Sequence, residues 1–235
     1  MLYLIGLGLN EKGISQQSLE VLKKCKKIYL ENYTVDFPYS FEKLEEVIKK
    51  KIISADRGFV ESLKFLDEAK KIDIALLVYG SPLVATTHVS ILEEAEKQGI
   101  NLKVFHNASI LDAIGETGLQ IYKFGKITSM PSFEADSYMN IVKQNLSIEA
   151  HSLILIDIGL NFKNALEKLI KNGDKYKIKL DKIIVCSQLG TDNFKVYYGD
   201  ISKLKTKKIE KPFCLIIPSL KLHYVESDFL KNFEK

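Results

Sequence analysis

In the first half of the chain, short unbroken apolar runs alternate with stretches whose apolar residues recur at helical spacing. Residues 2–5 form a continuous apolar run that ends at Gly6 and Gly8, and residues 27–30, 51–53, 72–79 and 102–105 read as further strands. Residues 15–24, 41–48, 59–69 and 84–97 read as helices, the last stopping at Gly99. Strands without in–out alternation are buried on both faces, and strands separated by helices call for parallel βαβ units. The pattern predicts a first α/β domain over residues 1–108, built on a mostly parallel sheet.

The second half has a different texture. Residues 109–116 read as a short helix opening with Ser109, 126–130 as a strand and 133–144 as a helix. The run SLILIDI at 152–158 is a buried strand, and 162–171 is a helix closed by Asn172-Gly173. Two β-rich runs, 182–188 and 194–198, flank turn residues and form a hairpin signal; 213–217 is a last strand. A hairpin in α/β texture implies a mixed sheet, which makes residues 109–235 a second, mixed α/β domain. The lysine-rich stretch 203–211 reads as a solvated surface segment, with docking of an acidic partner as the lesser reading.

Composition narrows the function classes. With 235 residues the chain can bury a core in one large domain or two small ones. The net charge of +4 comes almost entirely from lysine and is too mild for a dedicated nucleic-acid binder. No stretch is apolar for long enough to span a membrane, and MLYLIGLGL reads as a buried strand, not a signal peptide. Cys25, Cys186 and Cys214 are far apart and odd in number, as expected of reduced, buried thiols in a cytoplasmic protein. The four histidines, His88, His106, His151 and His223, lack metal-ligand spacing, and each reads as structural before catalytic.

Three stretches can carry chemistry. Gly6-Leu7-Gly8-Leu9 follows a strand, but Glu11 stands where a dinucleotide fingerprint needs its third glycine. Two readings remain for the glycine pair: a tight turn, or close approach of backbone to a ligand without a pyrophosphate. The stretch YGSPLVATTH (79–88) turns sharply at Gly80, is stiffened by Pro82, and offers Thr86 and Thr87 in the first turn of the next helix. His106-Asn107-Ala108-Ser109-Ile110 again lies past a strand, where Ser109 caps a helix or meets a ligand. All three fall beyond the carboxyl ends of strands in one sheet, where open parallel sheets collect ligands. Asp157, the one acid in an apolar strand run, calls for a specific hydrogen bond or ion pair. No nucleophile elbow is present and nothing marks a cysteine as activated.

Taken in order, MLYLIGLGLNEKGIS, YLENYT, SADRGFVE, YGSPLVATTH, HNASI, GLQIYKFGK, HSLILIDI and PFCLIIPSLKLHYVE resemble the diphthine synthase family, within the tetrapyrrole methylases, over nearly the whole chain. The resemblance implies two α/β domains with a ligand cleft between them, a cytoplasmic homodimer, and S-adenosylmethionine as methyl donor with S-adenosylhomocysteine as product. The implied acceptor is the amino group of a 3-amino-3-carboxypropyl arm on one histidine of translation elongation factor 2. No metal, nucleic acid, membrane or dedicated catalytic side chain is implied. The alternatives are a tetrapyrrole methyltransferase of the same fold, and a relative that binds the donor without turnover.

Carried over by position, the implied cofactor contacts are Leu9, Ser81, Val84, Ser109 and Ile110, then Ile158, Leu189 and Leu215. One departure stands out: the family usually has Gly-Asp-Pro where this chain has Gly80-Ser81-Pro82. Serine keeps a donor and two acceptor lone pairs but carries no charge.

Overall fold

The computed structural model describes residues 1–234, and the chain divides into two compact units, Met1–Ile110 and Leu111–Lys235. Each holds one five-stranded sheet.

The first unit runs β1 (Leu2–Gly6), α1 (Gln16–Lys24), β2 (Lys27–Glu31), α2 (Phe41–Ile48), β3 (Ile53–Ala55), α3 (Arg57–Glu61), α4 (Phe65–Ala69), β4 (Ile74–Val78), α5 (Val89–Lys97) and β5 (Leu102–Phe105). The strands lie in the order β3-β2-β4-β1-β5 and every pairing is parallel, as the unbroken apolar runs predict. Alternate strand residues feed two cores. Tyr3, Ile5, Ile28, Leu30, Ala75 and Leu77 pack with Leu22 of α1 and Leu44 and Ile48 of α2. Leu2, Leu4, Tyr29, Ile74, Leu76 and Val78 pack with Val60, Phe65 and Leu66 of α3 and α4 and with Ile91 and Ala95 of α5. Local signals act where expected: the Ser15 hydroxyl accepts from Ser18 N (3.1 Å) to start α1. At the other end of α1, Lys50 Nζ donates to the carbonyls of Leu22, Lys23 and Cys25.

Helix boundaries in the first unit depart from the pattern in two places. The helix expected over 59–69 is two short ones, because Leu63 takes a positive φ of 56° and breaks the run. The helix expected from residue 84 begins at Val89. Ala85 has φ 56°, and both Thr86 Oγ1 (2.8 Å) and His88 Nδ1 (3.0 Å) meet the Pro82 carbonyl, so residues 81–88 form a looped corner.

The short α6 (Ile110–Ala113) leads into the second unit, which continues β6 (Thr128–Met130), α7 (Tyr138–Ser147), β7 (Ser152–Ile156), α8 (Phe162–Tyr176), β8 (Lys182–Ser187), β9 (Lys195–Asp200), α9 (Ile201–Leu204), β10 (Phe213–Ile217) and α10 (Tyr224–Leu230). Its sheet order is β6-β7-β10-β8-β9. β6 and β7 are parallel; β10 runs antiparallel between β7 and β8, and β8–β9 is the expected antiparallel hairpin, so the sheet is mixed. Ile154, Ile183, Val185, Leu215 and Ile217 pack against Met139 and Val142 of α7 and Leu166 and Leu169 of α8. Asn172-Gly173 does not end α8, which runs on to Tyr176. Asn172 Nδ2 donates to the buried Tyr138 hydroxyl (2.9 Å), and a Cβ on Gly173 would come within 2.7 Å of Leu180. The pair serves packing, and the helix stops instead at Lys177, in the left-handed region. All three cysteines are buried free thiols.

Candidate functional site

At the carboxyl end of the first sheet, three loops are tied into one rim. After β1 and β4 the chains touch as backbone: Gly8 N donates to Gly80 O (3.1 Å) and Gly80 N to Gly8 O (2.9 Å). Glycine is required here, since a Cβ on Gly6 would stand 2.6 Å from Gly80 O and 2.9 Å from Pro82 Cδ. The loop after β5 joins through Asn107, whose Nδ2 donates to Gly6 O (3.1 Å) and Gly13 O (3.0 Å), while its Oδ1 accepts from Ala108 N (2.8 Å). The Tyr79 hydroxyl donates to Leu9 O (2.9 Å), and burial raises the pKa of that phenol, keeping it a neutral donor. Of the two sequence readings of the glycine pair, the turn is seen at Gly8, which takes φ 74°; the close approach made by Gly6 is to another loop of the chain itself, which neither reading named.

The five contacts implied for the first unit all sit on this rim. Leu9, Ser81 and Ser109 are buried; Val84 and Ile110 are half-buried. Around Gly80, at φ 72°, the nearest atoms to an added Cβ are Ala108 O and Ser109 Cα at 3.8 Å and Leu9 Cδ2 at 4.0 Å. A Cβ there would be in ordinary van der Waals contact with the other two loops, so the three loops converge at Gly80. Thr86 and Thr87, expected in a first helical turn, lie in the loop before α5.

Beneath the corner lies a pair that sequence patterning did not join. Glu31 ends β2 and His88 precedes α5; both are buried, with His88 Nε2 3.4 Å from Glu31 Oε2. Thr34 holds the other oxygen, donating from N (3.0 Å) and Oγ1. The Pro82 carbonyl can only accept, so His88 Nδ1 carries a proton and the imidazole anchors the corner from below. No periodicity links residues 31, 82 and 88; the parallel pairing of β2 with β4 brings them together.

In the second unit, Ile158 lies two residues past β7 and Leu189 two residues past β8, one half-buried and the other buried. The antiparallel register sets Phe213, at the start of β10, opposite Ser187 at the end of β8, so these strand ends share an edge. Leu215 lies farther in, paired with Ile154 and Val185 and wholly buried in the core, where it supports that edge and presents no surface. Asp157 makes the specific bonds expected of it: Oδ2 accepts from Ser132 N (3.1 Å) and Oγ (2.9 Å).

A buried network in this unit escaped the sequence reading. Glu226, in the first turn of α10, accepts from Gln120 N (3.0 Å), His223 N (2.8 Å), Lys123 Nζ (2.5 Å) and His151 Nε2 (3.1 Å). Ser219 N donates to His151 Nδ1 (2.9 Å), which fixes the neutral tautomer with its proton on Nε2. Burial alone would raise the Glu226 carboxyl; its four donors outweigh this and hold it at about 2. Burial also lowers the His151 pKa, against the pull of Glu226. Among the described residues, no group of His, Cys, Asp or Glu could hold a metal ion, and no helix is long and apolar enough to cross a membrane.

Comparison with known proteins joins these observations. A family model described as tetrapyrrole (corrin/porphyrin) methylases matches residues 1–205. A protein of Methanococcus maripaludis named diphthine synthase is 39% identical, covering 98% of both chains. A Schizosaccharomyces pombe protein named diphthine methyl ester synthase is 34% identical over 99% of this chain and 94% of its own. A crystal structure of a diphthine synthase superposes with a TM-score of 0.91 at 31% identity, covering all of this chain and 96% of the other. The chain belongs to the tetrapyrrole methylase family and, within it, to the diphthine synthases.

Proposed function

We propose that this chain transfers methyl groups from S-adenosylmethionine to the amino group of a 3-amino-3-carboxypropyl arm on one histidine of translation elongation factor 2, forming diphthine and releasing S-adenosylhomocysteine. Similarity along essentially the whole length to proteins named diphthine synthase carries this reading. The rim supports it: it offers backbone groups, small residues and apolar side chains where three loops converge at Gly80, a fit for a donor without phosphates. We further take the enzyme to act in the cytoplasm as a homodimer.

S-adenosylmethionine supplies a methyl already activated on sulfur, so transfer to nitrogen asks chiefly for alignment and a dry site. Leu9, Ser81, Val84, Ser109 and Ile110 hold the donor at the rim. The Gly8–Gly80 bridge and the Asn107 bonds keep the loops from shifting as the acceptor arrives. Apolar surface from Leu9 and Val84 excludes water and favours the neutral, attacking form of the amine over its ammonium. No side chain is assigned as base; solvent takes the proton.

The test is incubation with methyl-labelled S-adenosylmethionine. Label should enter elongation factor that carries the modified histidine and not a uroporphyrinogen-type ring; the reverse distribution, or none, defeats the reading. A second reading follows from the fission-yeast relative's name, which specifies a methyl ester. It adds one alkali-labile methyl on the arm's carboxylate, visible as an extra mass step that mild base removes.

A further inference from the structure

SADRGFVE holds a residue that the cofactor rim leaves unused. Arg57 is the one arginine among 34 basic residues; lysine serves at every other such position. Where lysine meets every ordinary need for positive charge, the exception marks a place where guanidinium geometry matters. Arginine differs from lysine in its planar fork of donors, which grips a carboxylate with two parallel hydrogen bonds, and in stacking on aromatic faces.

The local fold places that fork at the sheet's edge. β3 ends at Ala55; Asp56 Oδ1 caps α3 by accepting from Phe59 N (2.7 Å), leaving Arg57 as its first residue. The guanidinium lies 4.9 Å over the ring of Tyr33. Tyr33 lies two residues past β2 and Arg57 two residues past β3, and β2 sits between the edge strand β3 and β4, so the stack stands at the same carboxyl edge of the parallel sheet as the corner that carries Ser81 and Val84. β3 and β4 are two strand spacings apart, roughly 10 Å, a span that an extended arginine and an amino-acid headgroup can bridge. Tyr33 is half-buried, and burial, with Glu31 and Glu61 nearby, pushes its phenol up to about 12, so it is a neutral platform. Among the described residues the guanidinium has one hydrogen-bonded partner: Nη1 donates to Glu61 Oε1 at 3.2 Å, an exposed i,i+4 pair of little intrinsic strength. The rest of the fork is free for another carboxylate.

We infer that Arg57, stacked on Tyr33, binds the carboxylate of the acceptor arm and so sets specificity for an amino-acid headgroup. This rests on the acceptor proposed above. Glu61 occupies the fork until the acceptor displaces it.

The experiment is steady-state methylation of elongation factor bearing the 3-amino-3-carboxypropyl histidine, with S-adenosylhomocysteine affinity and melting temperature measured on each variant. Arg57→Ala raises the acceptor KM about tenfold or more, the range for one lost charged hydrogen bond, while kcat and S-adenosylhomocysteine affinity stay within about twofold. Arg57→Lys, which keeps charge and fold, lies between it and wild type. Glu61→Gln, which frees the fork, gives a KM at or below the wild-type value. An acceptor KM for Arg57→Ala equal to wild type overturns the inference, as does a rise in KM for Glu61→Gln, which would mark the ion pair as merely structural. Failure of the acceptor assignment shows differently: wild-type enzyme would not methylate the factor at all.

Discussion

Ser81 sits 6% exposed at the start of the corner after β4, and its carbonyl accepts from Val84 N at 3.1 Å. Its place in the rim was legible in the chain. A carboxylate there would accept hydrogen bonds worth roughly 1.5–3 kcal/mol, against about 1 kcal/mol for a neutral acceptor. Ser81→Asp is therefore expected to bind S-adenosylmethionine more tightly in calorimetric titration; unchanged affinity would show that Ser81 does not face the donor. Other residues at this scale could not be read in advance. Asn107 stood in a singled-out stretch, but its bonds to Gly6 and Gly13 span 101 and 94 residues of sequence. Nothing in HNASI announces such partners. Glu31 and His88 were likewise visible only as two separate polar residues.

Between elements, the decisive contact is loop to loop. Gly6 lets β1 end directly against the β4 corner, with 2.6 Å from an added Cβ to the Gly80 carbonyl. Neither partner is a flexible side chain, so Gly6→Ala must push two backbones apart. The expected result is a loss of about 1–3 kcal/mol in denaturant unfolding, together with weaker S-adenosylmethionine binding. A fully stable variant with unchanged binding would mean that the rim tolerates separation. Strands β1, β2, β4, β5 and β10 fell close to where continuous apolar runs placed them. Helix ends did not: Leu63 and Ala85 adopt positive φ, and Asn172-Gly173 is absorbed into α8 by Tyr138 and Leu180. These outcomes depend on neighbours remote in sequence, which override local propensity.

On the scale of the whole molecule, acid stability turns on the Glu226–His151 network. His151 is neutral when folded and its folded pKa lies below 6.5. As pH falls below 6.5 the unfolded chain takes up a proton that the buried imidazole resists, so stability declines. Glu226, lowered from 4.5 to about 2, adds a second loss as pH falls through that interval, on the order of 3 kcal/mol if fully expressed. Chemical denaturation across pH 7.5 to 2 tests this: the wild type should lose stability in both windows, and Glu226→Gln, less stable at neutral pH, should lose less than the wild type in the lower one. A wild-type curve flat from pH 6.5 to 5 would refute the neutral-His151 assignment.

The alternation of apolar runs with helical spacing determined by itself that this is an α/β chain with a parallel and then a mixed sheet, because burial on both faces of a strand leaves a direct mark on residue choice. It also placed the three loops rich in small residues at strand ends, since a parallel sheet sends successive carboxyl ends to one edge. Only the tertiary structure decided which residues meet there. Gly6 against Gly80, Asn107 on Gly6 and Gly13, Glu31 under His88 and Arg57 over Tyr33 join parts of the chain whose local sequences carry no record of one another. Strand order sets those meetings, and strand order follows from how the whole set of helices can cover the sheet.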